Sequence, residues 1–150
     1  MKYRTVATGV TIALLAMFEG YRQVDYRDPV DIPTACFGHT ASAELGTRRS
    51  LIECEDLLLE DVRKYQAAVL RHAAVPLNDN QLAAFTSFVY NVGETAYSQS
   101  TLLRLLNSGD YAGACRELPR WVYAKGIKLS GLVRRRAQEM QVCLAPPMVW

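Results

Sequence analysis

The chain has 150 residues, half of them hydrophobic and 21% charged, so it is long enough for one autonomous core and too apolar for a disordered polymer. Seventeen Lys and Arg against fifteen Asp and Glu leave a net charge of +2, compatible with an anionic polymer but too weak to argue for nucleic acid. Four Cys do not make a disulfide scaffold in a chain of this length.

The first element is an uncharged run, Val6–Phe18, preceded by Lys2 and Arg4 and ended by Glu19. A basic start and a short apolar stretch fit a secretory signal, but no small-residue cleavage site follows. The run is also short of the roughly 20 residues that span a bilayer. A buried first helix and a membrane-inserted stage both remain open. Residues 20–49 carry Gly20, Pro29, Pro33, Gly38 and Gly46 and read as turns and short strands.

After Ser50 the pattern is helical. Ser50 and Glu53 form a capping box, and Leu51, Cys54, Leu58, Val62, Tyr65 and Val69 follow at spacings of three and four. Pro76 ends that region. Asn78 or Asn80 caps the next helix, which runs apolar on most sides from Phe85 to Val92, stops at Gly93, and reads as the central core helix. Shorter helices are expected over Ser100–Leu106 and from Asp110 to Leu118, then a last one from Ser130 to about Val142. The sum is an α+β fold, mostly helical, with a small β-containing lobe near residues 20–45.

Glu19, Asp28 and Thr34 carry the chemistry. Two carboxylates and a hydroxyl are the parts needed to hydrolyse a glycosidic bond: one carboxyl donates a proton to the leaving oxygen, and the other supports the attacking water or the developing positive charge. Glu19, directly after Leu14–Phe18, suits the proton donor. Asp28, in the polar turn Tyr26-Arg27-Asp28-Pro29, suits the ionised partner, and Thr34 suits orientation of a water. By itself this spacing is common by chance.

The surrounding blocks add weight. Glu19-Gly20-Tyr21-Arg22, Tyr26-Arg27-Asp28 and Thr34-Ala35-Cys36-Phe37-Gly38-His39-Thr40 resemble the active-site segment of phage lysozymes, glycoside hydrolase family 24. The likeness continues through Ser87–Gly93, Ser100–Arg104, Gly109-Asp110, Gly113–Cys115, Arg120-Trp121 and Arg134–Arg136 to Leu144, so it covers residues 15–144. It is nearest to lambdoid endolysins with a signal-arrest-release helix.

The resemblance implies a lysozyme-like fold, with a cleft between the small β-containing lobe and a larger helical lobe, and a muramidase that cuts the β-1,4 bond between N-acetylmuramic acid and N-acetylglucosamine, with water as nucleophile and inversion at the anomeric carbon. It implies Glu19 as catalytic acid, Asp28 as second carboxylate and Thr34 beside the water. Tyr26, Asn91 and Arg134 fall at substrate-contacting positions, with core capping the alternative for Asn91, and Gly38 and His39 are structural residues near the site. It also implies that one of Arg134–Arg136 pairs with Glu19 or meets the glycan, the others forming a solvated face, and that Trp121 is core rather than a sugar platform. One departure lies near the site: Val30-Asp31-Ile32-Pro33 stands where relatives have a Gly-aromatic pair, so a shortened or edge strand is expected, with Asp31 solvated.

No C-x-x-C and no Cys/His cluster at zinc spacing occurs, so neither metal nor cofactor is expected. Cys36, Cys54, Cys115 and Cys143 allow three full pairings. Cys115 with Cys143 would staple the last helices in an oxidising compartment, four reduced thiols are the alternative, and Cys36 near Thr34 is a candidate redox latch. The resulting picture divides the chain into residues 1–18, a signal-arrest-release segment continuous with the first helix, and 19–150, the catalytic domain. It is a monomer made in the host cytoplasm, tethered transiently to the inner membrane, and active on peptidoglycan in the periplasm. A lytic transglycosylase and a non-catalytic peptidoglycan-binding module are the rival readings.

Overall fold

The computed structural model describes residues 5–20, 22–28 and 33–147. Helix α1 (Thr5–Glu19) leads into an antiparallel pair, β1 (Arg22–Arg27) and β2 (Pro33–Cys36). The helical part follows: α2 (Leu51–His72), α3 (Asp79–Val92), α4 (Glu94–Ser98), α5 (Thr101–Asn107) and α6 (Tyr111–Glu117). A 3-10 turn at Leu118–Arg120, a hairpin of β3 (Tyr123–Ala124) and β4 (Ile127–Lys128), and α7 (Ser130–Leu144) complete it. This is the α+β arrangement expected.

Local chemistry accounts for the two long central helices. Ser50 Oγ accepts the Glu53 N–H at 3.1 Å while the Glu53 carboxylate accepts the Ser50 N–H at 3.3 Å. Asn78 and Gln81 make the same reciprocal pair at the start of α3, so Asn78 rather than Asn80 is the cap. Gly93 ends α3 at φ 91, a conformation costly for residues with a Cβ. Helix α3 is buried from Leu82 to Val89 and packs against α1, α2 and α7. Its Leu82, Phe85 and Phe88 join Tyr97, Leu102, Leu106 and Leu118 in the main core. Leu51, expected on the apolar face of α2, is 49% exposed, because α2 turns that first residue away from the core.

The apolar run is buried along one face, through Ala7, Thr11, Leu14 and Leu15. Ala7 and Leu15 of α1 are fully buried, and the buried Thr11 hydroxyl donates to Ala7 O at 2.8 Å. The run thus serves as the first helix of the fold, with Glu19 as its last residue.

The β lobe is held differently. Asp25 takes two hydrogen bonds from Arg49, at 2.9 and 3.0 Å, and one from the Glu44 N–H at 2.8 Å. Burial opposes ionisation of Asp25, yet these donors outweigh it and hold the carboxyl below its ordinary value. Strand β2 begins at Pro33 and is four residues long, a short strand as expected; Val30, Asp31 and Ile32 lie outside the described residues. The β3–β4 hairpin and α4 were not foreseen. Lys125 and Gly126 both have positive φ, as a two-residue hairpin turn requires.

Candidate active site

Glu19 closes α1 and is clamped from two sides. On one side lies the turn after β2. A Cβ built on Gly38, where φ is +88, would stand 2.8 Å from Glu19 Oε2 and 3.2 Å from its Cγ. The Glu19 side chain therefore lies across the Gly38 backbone, and no other residue type fits there without displacing it. On the other side is Arg135 of α7, which donates to Glu19 Oε1. Glu19 thus meets a guanidinium as well as the apolar end of its own helix. Arg135 also packs over the Phe18 ring, 5.0 Å from its centroid.

Arg135 is itself fixed. It donates to Glu139 at 3.3 Å and to Ser87 O at 3.0 Å. Glu139, fully buried, also receives the Ser87 hydroxyl at 2.6 Å and an ion pair from Arg136. Arg136 reaches on to Asn91 Oδ1 and, at 2.8 Å, to Trp121 O. Glu139 pairs with both guanidiniums, so each buried arginine has an acidic partner, the condition under which buried charges persist. Burial pulls the Arg136 guanidinium below its ordinary value, and Glu139 opposes that shift.

The expected solvated face of arginines is thereby corrected. Arg134 is exposed, but Arg135 and Arg136 are buried, because Glu139 at spacings of four and three neutralises both. Glu139 went unnoticed in the sequence, although that spacing on one helix is a readable signal. Asn91 keeps an exposed position while its amide oxygen is committed to Arg136. Trp121 is half-buried and meets Phe88 edge-on, with centroids 5.2 Å apart.

Within the sheet, Tyr26 stands directly opposite Thr34. Cross-strand partners share a face, so the two side chains lie side by side, with Thr34 buried and Tyr26 half-buried. Asp28 follows one residue after β1 ends and is half-buried. Cys36, two residues after Thr34, has φ 57, a left-handed conformation that non-glycine residues resist. It is bonded to Cys54 in the first turn of α2, and Cys115 is bonded to Cys143. All four thiols are consumed, so the alternative of reduced cysteines does not describe this structure.

His39 is buried and joins the lobes. Its Nδ1 lies 2.6 Å from Asp61 of α2, and its Nε2 accepts the Ser42 N–H at 3.2 Å. That acceptor role leaves Nδ1–H to donate to Asp61. Burial pushes the Asp61 carboxyl up, against the lowering effect of the His39 hydrogen bond.

Comparison with known proteins agrees with this architecture. The family model described as phage lysozyme matches residues 16–139. A SAR-endolysin of Escherichia phage Mu is 43% identical over 128 residues, covering 85% of this chain and 75% of that protein. The muramidase domain of SpmX from Asticcacaulis excentricus superposes with a TM-score of 0.83 at 34% identity, over 91% of this chain and 95% of that one. An endolysin from Escherichia coli O157:H7 phage FAHEc1 gives 0.81 at 29% identity, over 96% and 94%. A helix-ending glutamate braced by arginine beside a two-stranded lobe, within a chain matched over this length, leads to one assignment: the protein belongs to the phage lysozyme family.

Proposed function

We propose that the chain is a phage endolysin, a muramidase that hydrolyses the β-1,4 bond between N-acetylmuramic acid and N-acetylglucosamine in peptidoglycan during host lysis. The observation that carries this reading is the fixed Glu19 carboxyl between Gly38 and Arg135, in a chain of the phage lysozyme family. Glu19 gives its proton to the leaving glycosidic oxygen. Asp28 supports the charge that develops at the anomeric carbon, while Thr34 orients the attacking water. Tyr26, Asn91 and Arg134 contact the glycan, and Gly38 and His39 shape the site beside them. The product is inverted.

The test is direct. Glu19→Gln is expected to lower clearing of outer-membrane-permeabilised Gram-negative cells by about 10²-fold or more, and the wild type to yield a reducing end of inverted configuration by anomer-resolved NMR. Net retention overturns the inverting route, 1,6-anhydro products indicate a transglycosylase, and wall binding without cleavage indicates a binding module.

We further propose that the enzyme acts as a monomer in the periplasm after a membrane-tethered stage. Among the described residues no helix is long and apolar enough to cross a membrane, and α1 is fifteen residues long. Weak apolarity suits reversible residence rather than permanent anchoring. Because Glu19 terminates α1, holding α1 in a bilayer keeps Glu19 from Gly38 and Arg135. Gly9 offers a clean probe, since a Cβ there meets nothing within 4 Å. Gly9→Leu is expected to prolong membrane retention and delay lysis without disturbing the folded enzyme; unchanged release and timing contradict the tethered stage. Thr11→Leu is a poorer probe, as Thr11 is wholly buried.

A further inference from the structure

The turn that carries Gly38 is tied down at both ends. Ala35 N–H donates to His39 O at 2.6 Å, and His39 N–H returns to Ala35 O at 2.8 Å. Cys36 is bonded to Cys54, and the His39 ring is bonded to Asp61, both partners on α2. The middle of the turn is the Phe37–Gly38 peptide. It is the part that underlies Glu19, and Gly38 gives it the greatest freedom to rotate. Its carbonyl accepts the Tyr90 O–H at 3.0 Å.

We propose that Tyr90 is a positioning residue for glycan hydrolysis: its hydroxyl holds the Phe37 carbonyl, fixes the plane of the Phe37–Gly38 peptide, and so sets where the Glu19 carboxyl rests. The proposal builds on the reading of Glu19 as proton donor. Tyr90 is suited to the task. It stands near the end of α3, whose preceding residues from Leu82 to Val89 are buried in the core, so the hydroxyl is delivered from a rigid support. Its ring meets Tyr65 edge-on at 5.2 Å, which limits its swing. Burial pushes the phenol far above its ordinary value, and the charges of Asp61 and Glu19 act in the same direction. The group therefore remains an O–H donor throughout the neutral range.

The molecule contains its own control. Tyr97 O–H also donates to a main-chain carbonyl, Val69 O at 3.3 Å, and Tyr97 is fully buried within the main helical core. Both tyrosines lose one hydroxyl–carbonyl bond on replacement by Phe, and both keep the ring. A merely structural bond affects stability alone. A positioning bond affects the chemical step.

The experiment compares Tyr90→Phe, Tyr97→Phe and Glu19→Gln in steady-state hydrolysis of soluble peptidoglycan fragments, with melting temperatures and the amide NMR shift of Gly38 recorded for each. Tyr90→Phe is expected to lower kcat about tenfold, with KM within about twofold, because a small misplacement of a reacting group weakens the transition state more than the ground state. The Gly38 amide shift is expected to move in this variant. Tyr97→Phe is expected to melt lower while keeping both kcat and the Gly38 shift. A Tyr90→Phe enzyme with kcat within twofold of wild type overturns the proposal, as does a fall in kcat matched by Tyr97→Phe. Retained activity in Glu19→Gln instead overturns the reading of Glu19 on which the proposal rests.

Discussion

The two lobes are stabilised by different physics. The helical lobe has a continuous apolar core around Phe85, Phe88, Leu102 and Leu118. Burying one such side chain contributes roughly 1.5–3 kcal/mol, with no demand on the angle at which it is approached. The β lobe has a small apolar cluster, Ala35, Cys36 and Cys54. Directional ties supply the rest: Asp25 with Arg49, His39 with Asp61, Tyr90 with Phe37, and the Cys36–Cys54 bond. Apolar packing makes a stable body, while directional bonds set positions to fractions of an ångström. Stability therefore resides mainly in the helical lobe. The geometry of Glu19 resides where the β lobe meets it.

The two disulfides break this comparison most forcefully. They close loops of similar length, with sequence separations of 18 and 28, so removing either is expected to cost about 3 kcal/mol in unfolding free energy. Their effects on rate should differ. Replacing Cys36 and Cys54 by Ala is expected to lower kcat on peptidoglycan about tenfold, because Cys36 lies between Thr34 and Gly38. Replacing Cys115 and Cys143 should leave kcat unchanged in the protein that remains folded. Chemical denaturation and steady-state rates on both double variants check this, and equal losses of rate contradict the division of roles.

A smaller effect sharpens the same contrast. Asp25→Asn removes the charge from a buried tie and leaves Arg49 short of a partner, at a cost of about 1.5–3 kcal/mol. The pH dependence carries a sign. Because the folded Asp25 carboxyl is held below its ordinary value of 3.8, its stabilisation is fully present above that pH and fades as pH falls through the lower folded value. Asp25→Asn should flatten the acid side of the stability curve. Asp61, whose carboxyl burial pushes up, contributes with the opposite sign as pH rises through its own range. Urea midpoints between pH 2.5 and 6 separate the two, and an unchanged acid slope in Asp25→Asn contradicts the assignment.

What could be read from the sequence follows from range. The caps of α2 and α3 act within three residues, and Ser50–Glu53 and Asn78–Gln81 do what their spacing announces. The proposed Glu19, Asp28 and Thr34 set reads as a parts list to which the neighbouring blocks add weight. Other features depend on distant partners. Asp61 lies 22 residues from His39, and Tyr90 lies 53 from Phe37; no local pattern pairs them. The cysteine pairing needed tertiary proximity for the same reason. Arg136 misled because an arginine is ordinarily exposed, and only a buried Glu139 makes its burial tolerable. The β3–β4 hairpin escaped because strands of two residues are too short to show alternation.

The central claim is that the backbone at Gly38 sets the position of Glu19, and Gly38→Ala tests it most directly. A methyl group there would stand 2.8 Å from the Glu19 carboxylate in a backbone conformation that alanine resists. The measurement is the hydrolysis rate on peptidoglycan of Gly38→Ala beside its melting temperature and far-ultraviolet circular dichroism. The expected result is a loss of about 10²-fold in kcat in a protein whose helical lobe still folds cooperatively. A Gly38→Ala enzyme that turns over at the wild-type rate would show that Glu19 takes its position from somewhere else.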